Sequence, residues 1–497
     1  MHLLLILLPA VLAAVCLALP HARLRLAVLL AGAAGHFVVI VWSWLPGFPN
    51  APLYYFALDP LGHLFVSLIS ALFLATSVYF LGYHRDVHIS QRGFLACMLG
   101  LLATMSALCM SQHLGVLWVS MEAASLASTP LIYFHISARS LEATWKFLLM
   151  NSVGIAIALL GIFCVAVGTL GLNPVVSLSL ADLTARAPEL NVTWLRAGFL
   201  FVLVGFGTKM GLSPLHSWKP DAYAESPPHV AALLAGGVTL GAFVGILRVY
   251  AVCVAAGLRD FGGMWLIGFG LLSVATAAVF VVGNNDYRRI LAYTSVEHMG
   301  VLAVGVGLGA GGPYAGMLHA MHNTLNKGVL FLVAGFFWRL YESSRVSDVR
   351  GALHHHPIAG LLFLGGLCAT CGLPPFGIFF SELGIVLTAA AHGRWWVAGL
   401  FSLSLGVVFV GLMTAMLPMI FGPPPRRLAE PRPGESRSRS AAMLIPAAVL
   451  LIGGFGLGAY QPAGVRAALI AAAQTLTPVP HSESPTVARA QTEETKR

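Results

Sequence analysis

Charge is what this sequence has least of: only 9% of its 497 residues are Asp, Glu, Lys or Arg, against about 25% in an ordinary soluble domain. That scarcity excludes a soluble globular protein. Cysteine is sparse too, with 7 residues. The one close pair, Cys368-Ala-Thr-Cys371, lies in an apolar run without a second pair or a flanking histidine, so it reads as two small core residues rather than a redox or metal site. Walker loops, dinucleotide fingerprints and haem signatures are missing as well. No cofactor, no metal and no catalytic redox site of its own are therefore expected in this chain. Nor does any polar stretch between apolar runs have the length of a soluble domain.

What is abundant is hydrophobic sequence, 58% of the chain, gathered into runs of about 20 residues, the length that crosses a hydrocarbon core of about 30 Å as a helix. The runs fall near 2–19, 24–44, 59–82, 93–110, 114–133, 147–170, 197–213, 229–255, 262–283, 290–309, 315–338, 358–391, 396–421 and 442–460. They predict an all-α membrane protein of about 14 transmembrane helices, forming a single domain over 1–460. The first run lacks a basic leader and reads as a span, not a cleaved signal peptide. Run 358–391 is too long for one straight helix and contains Pro374 and Pro375, so it is expected to be broken there; Pro214 breaks the end of the seventh run in the same way. Two low-complexity stretches remain, a basic loop at 422–440 and a tail at 461–497 expected to be disordered.

Basic residues divide unevenly between alternate loops. One set carries most of them, including Arg85, Arg92, Arg139, Lys146, Lys219, Arg288, Arg289, Arg345, Arg426 and Arg437; the other holds only Arg186, Arg196, Arg259 and Arg394. Lys and Arg favour cytoplasmic loops, so both termini are expected outside the cytoplasm. The net charge of +9 then reflects topology, and nucleic acid is excluded as a partner.

The informative residues are charges inside spans, each costing about 2.5–3.5 kcal/mol at the bilayer centre on insertion scales. Glu122, Lys209, Lys327 and Glu382 qualify, and such groups mark ion paths by default. Arg248 and Asp59, nearer span ends, read as structural; Glu297 is also near an end. His216, His229, His298, His319 and His322 add imidazoles that can pass protons near neutral pH, although His229 and His298 could equally be packing groups. A short internal echo links Lys209-Met-Gly-Leu-Ser-Pro-Leu215 to Cys371-Gly-Leu-Pro-Pro-Phe376, five spans later. An odd number of spans makes such repeats inverted, as in transporters with broken helices near the midplane; the two units would cover about 93–255 and 262–421.

Three segments carry a family resemblance: Lys209-Met-Gly-Leu-Ser-Pro-Leu-His-Ser-Trp-Lys-Pro-Asp-Ala-Tyr-Ala-Glu-Ser-Pro227, Asp286-Tyr-Arg-Arg-Ile-Leu-Ala-Tyr-Thr-Ser-Val-Glu-His-Met-Gly300, and His319 to Lys327. The chain resembles the antiporter-like membrane subunits of respiratory complex I, of multisubunit cation/proton antiporters and of group 4 nickel-iron hydrogenases. The WKPDAY and SVEHMG spellings are most similar to the F-type subunit of hydrogenase-4-like complexes. The resemblance implies a pair formed by Glu122 and Lys209, a central Lys327, and Glu382 on the broken twelfth span. It departs from the family in two places. The eighth span has no lysine, with Leu240 near the expected position, and the usual Asn-His order before the central lysine reads His322-Asn323.

The function implied is proton translocation, or sodium translocation, within a redox complex of a bacterial or archaeal inner membrane. Its implied partners are other membrane subunits and peripheral nickel-iron hydrogenase and iron-sulfur subunits. Two alternatives share these residues: a subunit of a cation/proton antiporter or ion-driven uptake complex without redox partner, and a non-transporting membrane anchor for a hydrogenase module.

Overall fold

A computed structural model describes residues 2–48, 53, 55–83, 91–174, 176–423 and 437–477. Twenty α-helices follow one another: α1 (Leu4–Ala18), α2 (Ala22–Ser43), α3 (Pro60–Tyr83), α4 (Gln91–Met110), α5 (Leu114–Ile132), α6 (Ala138–Val167), α7 (Leu180–Ala185), α8 (Val192–Met210), α9 (Trp218–Glu225), α10 (Pro228–Leu233), α11 (Thr239–Ala255), α12 (Arg259–Val281), α13 (Tyr287–Gly307), α14 (Gly312–Tyr341), α15 (Ala352–His355), α16 (Pro357–Thr370), α17 (Gly377–Ala391), α18 (Trp395–Phe421), α19 (Arg437–Ala459) and α20 (Ala463–Gln474). A π-helical turn, Leu234–Val238, joins α10 to α11 into one long rod.

Eleven of these rods are long and apolar enough to cross a membrane. Three further elements complete the expected set: α1, whose 15 residues reach only about 22 Å at 1.5 Å each; α14, a 30-residue helix rich in polar side chains; and the interrupted pair α16 and α17. The apolar window of α10–α11 is 100% buried and that of α13 94%, whereas α2 and α18 reach only 33% and α19 22%. The first two, with α14, therefore form the centre, and α2, α18 and α19 the lipid-facing rim.

Two helix pairs meet backbone to backbone. Gly154 and Gly161 of α6 face Gly205 and Gly198 of α8, and a Cβ on Gly161 would lie 2.7 Å from the Gly198 carbonyl oxygen. Gly263 and Gly270 of α12 face Gly307 and Gly300 of α13, with the same 2.7 Å between a Cβ on Gly270 and the Gly300 oxygen. Each helix spaces its two glycines by seven residues, about two turns, which keeps them on one line.

Both expected interruptions are present and share one backbone design. At the end of α8, left-handed Gly211 (φ 76°) donates to the Thr208 carbonyl at 3.1 Å, and Leu212 donates to the Gly207 carbonyl at 2.8 Å. At the end of α16, Gly372 (φ 60°) donates to Ala369 at 3.2 Å and Leu373 to Cys368 at 3.0 Å. These are two Schellman caps, which satisfy helix-end carbonyls inside an apolar bundle and need glycine at the left-handed position. The five-letter echo in the sequence is thus a repeated structural device.

Two expectations need correction. Residues 463–474, placed in a disordered tail, form α20, because Leu469, Ala472 and Ala473 give it one buried apolar face; residues 478–497 lie outside the described part. Lys219, assigned to a loop, is 0% exposed. Of the basic loop at 422–440, residues 424–436 lie outside the described residues.

Candidate functional site

The last turn of α8 carries Lys209 into the bundle, 0% exposed. Its Nζ has no hydrogen-bond partner and stands 4.3 Å from the centroid of the Phe147 ring on α6, a cation–π arrangement. Glu122, on α5, keeps Oε2 buried and unpartnered. The two charges interact electrostatically, yet among the described residues no ion pair joins them within the 4.0 Å that defines one. The Glu122–Lys209 pair implied by the family resemblance is therefore not in ion-pair contact here, and the face of the Phe147 ring lies beside the ammonium. Past the break, next to Pro214, Ser213 anchors the chain to α12: its N–H donates to Ser273 Oγ at 2.8 Å, and its hydroxyl bonds Thr276 Oγ1 at 2.8 Å. His216 sits half-buried at the rim, its ring 6.3 Å from those of Phe280 and Tyr293.

The short helix α9 is held from every side. Trp218 Nε1 donates to the Thr208 carbonyl at 2.8 Å. Asp221 accepts from Lys146 Nζ of α6 at 2.9 Å and pairs with Arg289 of α13. Arg288 donates to the carbonyls of Tyr223, at 3.2 Å, and Ser226. Asp286 caps α13, accepting from the Arg288 N–H at 2.9 Å, so the WKPDAY and DYRR segments that mark the sequence are two halves of one clamp. Within it, Lys219 points inward, and its Nζ donates to the Ser295 carbonyl of α13 at 3.3 Å.

Next along α13, Thr294 accepts from Lys327 Nζ of α14 at 2.6 Å. Lys327 is 0% exposed. Glu297, also on α13, is 2% exposed; its Oε2 is unpartnered, and it interacts electrostatically with both Lys327 and Glu382. One residue further, His298 Nδ1 lies 3.0 Å from His319 Nε2, and His319 Nδ1 lies 2.9 Å from Ser381 Oγ on α17. Glu382 follows Ser381, its carboxylate lying against the Cα of Gly372 in the second break.

Ligand atoms of His298, His319 and Glu382 fall within 4.8 Å of one another. Both nitrogens of His319 and Nδ1 of His298 are already committed to hydrogen bonds, which leaves two free donor groups, short of the three or four protein ligands of a metal centre. The arrangement suits proton transfer better than cation binding.

His322 stands beside this line, interacting electrostatically with His319. Its ring packs on Gly377 at the start of α17 and borders a cavity that also touches Asn326, Phe376 and Leu450. His229 is a packing group, with both nitrogens unbonded and its ring 5.1–6.1 Å from those of Tyr79, Phe80, Tyr83 and Phe94. Arg248 and Asp59, each read from the sequence as structural, pair with each other: Nη2 meets Asp59 Oδ1 at 2.8 Å and the Cys109 carbonyl at 2.5 Å. Gln112 supports the same carboxylate at 3.0 Å. Pro374 and Pro375 occupy the gap between α16 and α17. Sequence reasoning missed Lys219, whose available signal was its place ten residues after Lys209, beyond a break that turns the chain back into the bundle, and it put Glu297 near a span end, whereas that residue lies midway along α13.

Interrupted helices that bring unpaired lysines, carboxylates and imidazoles into a lipid-facing bundle define a membrane ion-translocating protein. The chain belongs to the NADH:quinone oxidoreductase/Mrp antiporter transmembrane family, which it matches over residues 111–409. It is 31% identical to the hydrogenase-4 component F homolog of Methylacidiphilum infernorum over 83% of this chain and 87% of that one. It is also 31% identical to the NADH-quinone oxidoreductase subunit N of Desulforudis audaxviator, over 88% of this chain and 89% of that one. Among solved structures, a chain of an archaeal membrane-bound sulfane sulfur reductase superposes with a TM-score of 0.84 at 20% identity, covering 96% of this chain and 98% of its own. That likeness concerns the fold.

Proposed function

We propose that this chain, a proton-translocating membrane subunit of a multisubunit redox complex, moves protons along α13 between Lys209, Lys327, His298, His319 and Glu382. The observation that carries the reading is the His298–His319–Ser381 chain, because its hydrogens can be assigned. Ser381 Oγ donates to the Ile378 carbonyl at 2.7 Å, which cannot donate in return. Ser381 therefore accepts from His319 Nδ1–H, His319 Nε2 accepts from His298 Nδ1–H, and His298 Nε2 is left with a lone pair. That nitrogen is buried and unpartnered. A proton arriving there releases the Nδ1 proton to His319, which in turn passes its own Nδ1 proton to Ser381 Oγ as the hydroxyl hydrogen turns from the Ile378 carbonyl and leaves for the neighbouring Glu382 carboxylate: two imidazoles and one hydroxyl pass one charge while each ends neutral.

His319 faces this path, and His322 does not. The redox partners we propose are nickel-iron and iron-sulfur subunits, as the name of the hydrogenase-4 relative suggests, and the ion is the proton, because the line offers imidazoles and amines rather than a cage of oxygens. The test is purification in mild detergent with identification of the co-purifying proteins, followed by proton uptake in proteoliposomes. Nickel-iron and iron-sulfur proteins, with uptake lost in Lys327→Ala and Glu382→Gln, are expected. Small membrane subunits alone would favour an antiporter without a redox partner. Uptake unchanged in both variants at normal assembly would end the relay reading.

A further inference from the structure

The two breaks are alike in more than their caps. In the second, the carboxylate of Glu382 lies against the Cα of left-handed Gly372; in the first, the end of the Lys219 side chain lies against the Cα of left-handed Gly211, its Cε closest, and a Cβ there would stand 2.8 Å from Nζ. Each broken helix thus returns an ionisable side chain from its second half onto the glycine of its own break. Lys209 is two residues before Gly211. On its other side Lys219 reaches the Ser295 carbonyl, the residue next to Thr294, which holds Lys327. Lys219 and Lys327 interact electrostatically, and α9 is clamped by Trp218, Asp221 and Arg288, which fixes where Lys219 can reach.

A lysine retained only as a structural cation has a carboxylate or several acceptors to fill its three N–H positions. Lys219 has one carbonyl, at 3.3 Å, and no carboxylate in ion-pair range among the described residues. It is nonetheless 0% exposed. We propose that Lys219 is a proton station between Lys209 and Lys327, bridging the first break to the central line in place of a lysine on the α10–α11 rod. The inference rests on the relay described above. Each transfer breaks one N–H bond on the donor ammonium and forms one on the lone pair of the neutral acceptor amine, and no electron moves. Because two neighbouring ammonium groups repel, a proton on Lys219 favours a neutral Lys327, and a proton on Lys327 a neutral Lys219. The charge therefore advances one station at a time.

The experiment uses the assembled complex in proteoliposomes at matched amounts of protein. Lys219→Met is expected to assemble with unchanged or higher thermal stability, since an unpaired buried cation has been replaced by an apolar chain of similar length, and to take up protons at least tenfold more slowly. Lys219→His is expected to recover part of the uptake, with its pH dependence moved toward lower pH, whereas Lys219→Arg, which cannot release its proton, recovers none. Normal uptake in Lys219→Met, with Lys209→Met and Lys327→Ala inactive, would overturn this inference and leave the relay standing. Normal uptake in all three would overturn the relay itself. If Lys219→Met and Lys219→Gln lost uptake only in proportion to lost assembly, Lys219 would be a structural cation and the inference would be wrong.

Discussion

His298 and His319, on adjacent helices, share a hydrogen bond of 3.0 Å in a region where both are 0% exposed. Because that bond transmits a proton only if both rings can be protonated on one nitrogen and released from the other, His319→Phe is expected to lower proton uptake at least tenfold at normal assembly. His322→Gln, on the cavity side of α14, is expected to change it less than twofold. Equal losses in the two variants would place the path elsewhere.

Lys209 rests on an aromatic ring rather than on Glu122. Lys209→Arg keeps the positive charge and the contact with Phe147 but cannot lose its proton; Lys209→Met removes both. Both variants are expected to assemble, and both to abolish uptake. Normal uptake by the arginine variant would show that this residue acts by attraction alone.

Arg248 and Asp59 should behave in the opposite way. Removing one partner of a buried pair costs about 3–5 kcal/mol, and the partial exposure of Asp59, at 24%, places Arg248→Met near the lower end. The expected result is a clear fall in melting temperature of the purified complex, partly restored by Arg248→Met with Asp59→Asn. Uptake per assembled complex should be unchanged, which is what separates a brace from a relay member.

The expected orientation places the connection between α14 and α15 in the cytoplasm and the one between α6 and α8, which includes α7, outside. Cysteines at the exposed positions Ser347 and Thr184 test it with a membrane-impermeant thiol reagent. Thr184→Cys should label in intact cells and Ser347→Cys only in inside-out vesicles. The reverse pattern would invert the topology.

The bundle was legible in the sequence because its signals are local. Apolar length gives the spans, and Gly-Leu-Pro or Gly-Leu-Ser-Pro inside a run gives each break. Lys327 and Glu382 stood out because each is a lone charge inside a span. Lys219 did not, since WKPDAYAE is polar enough to pass for a loop, and its burial comes from Lys146, Arg288 and Arg289, which are distant in sequence. The separation of Glu122 from Lys209 was hidden for a related reason: nothing near Lys209 in the chain announces that Phe147 will lie beneath its ammonium. Helix starts were misplaced where the first turns are polar, as in α6, which begins at Ala138 rather than near 147. Likewise α20 reads as tail by composition and becomes a helix only because a neighbouring surface receives its Leu469 face.

The glycine contacts of α6 with α8 and of α12 with α13 bear on how a charge can travel. Helices whose main chains touch cannot slide or tilt past each other without collision: a Cβ on Gly205 would already overlap the Ala158 nitrogen. One such strut ends at Lys209, and the other carries Thr294, Glu297 and His298. Each seam lies within one half of the bundle, so the two helices that form it can move only as one body. Lys209 and the Thr294–His298 stretch are each mounted on a two-helix plank, and any motion of the bundle carries each group at a fixed height on its plank.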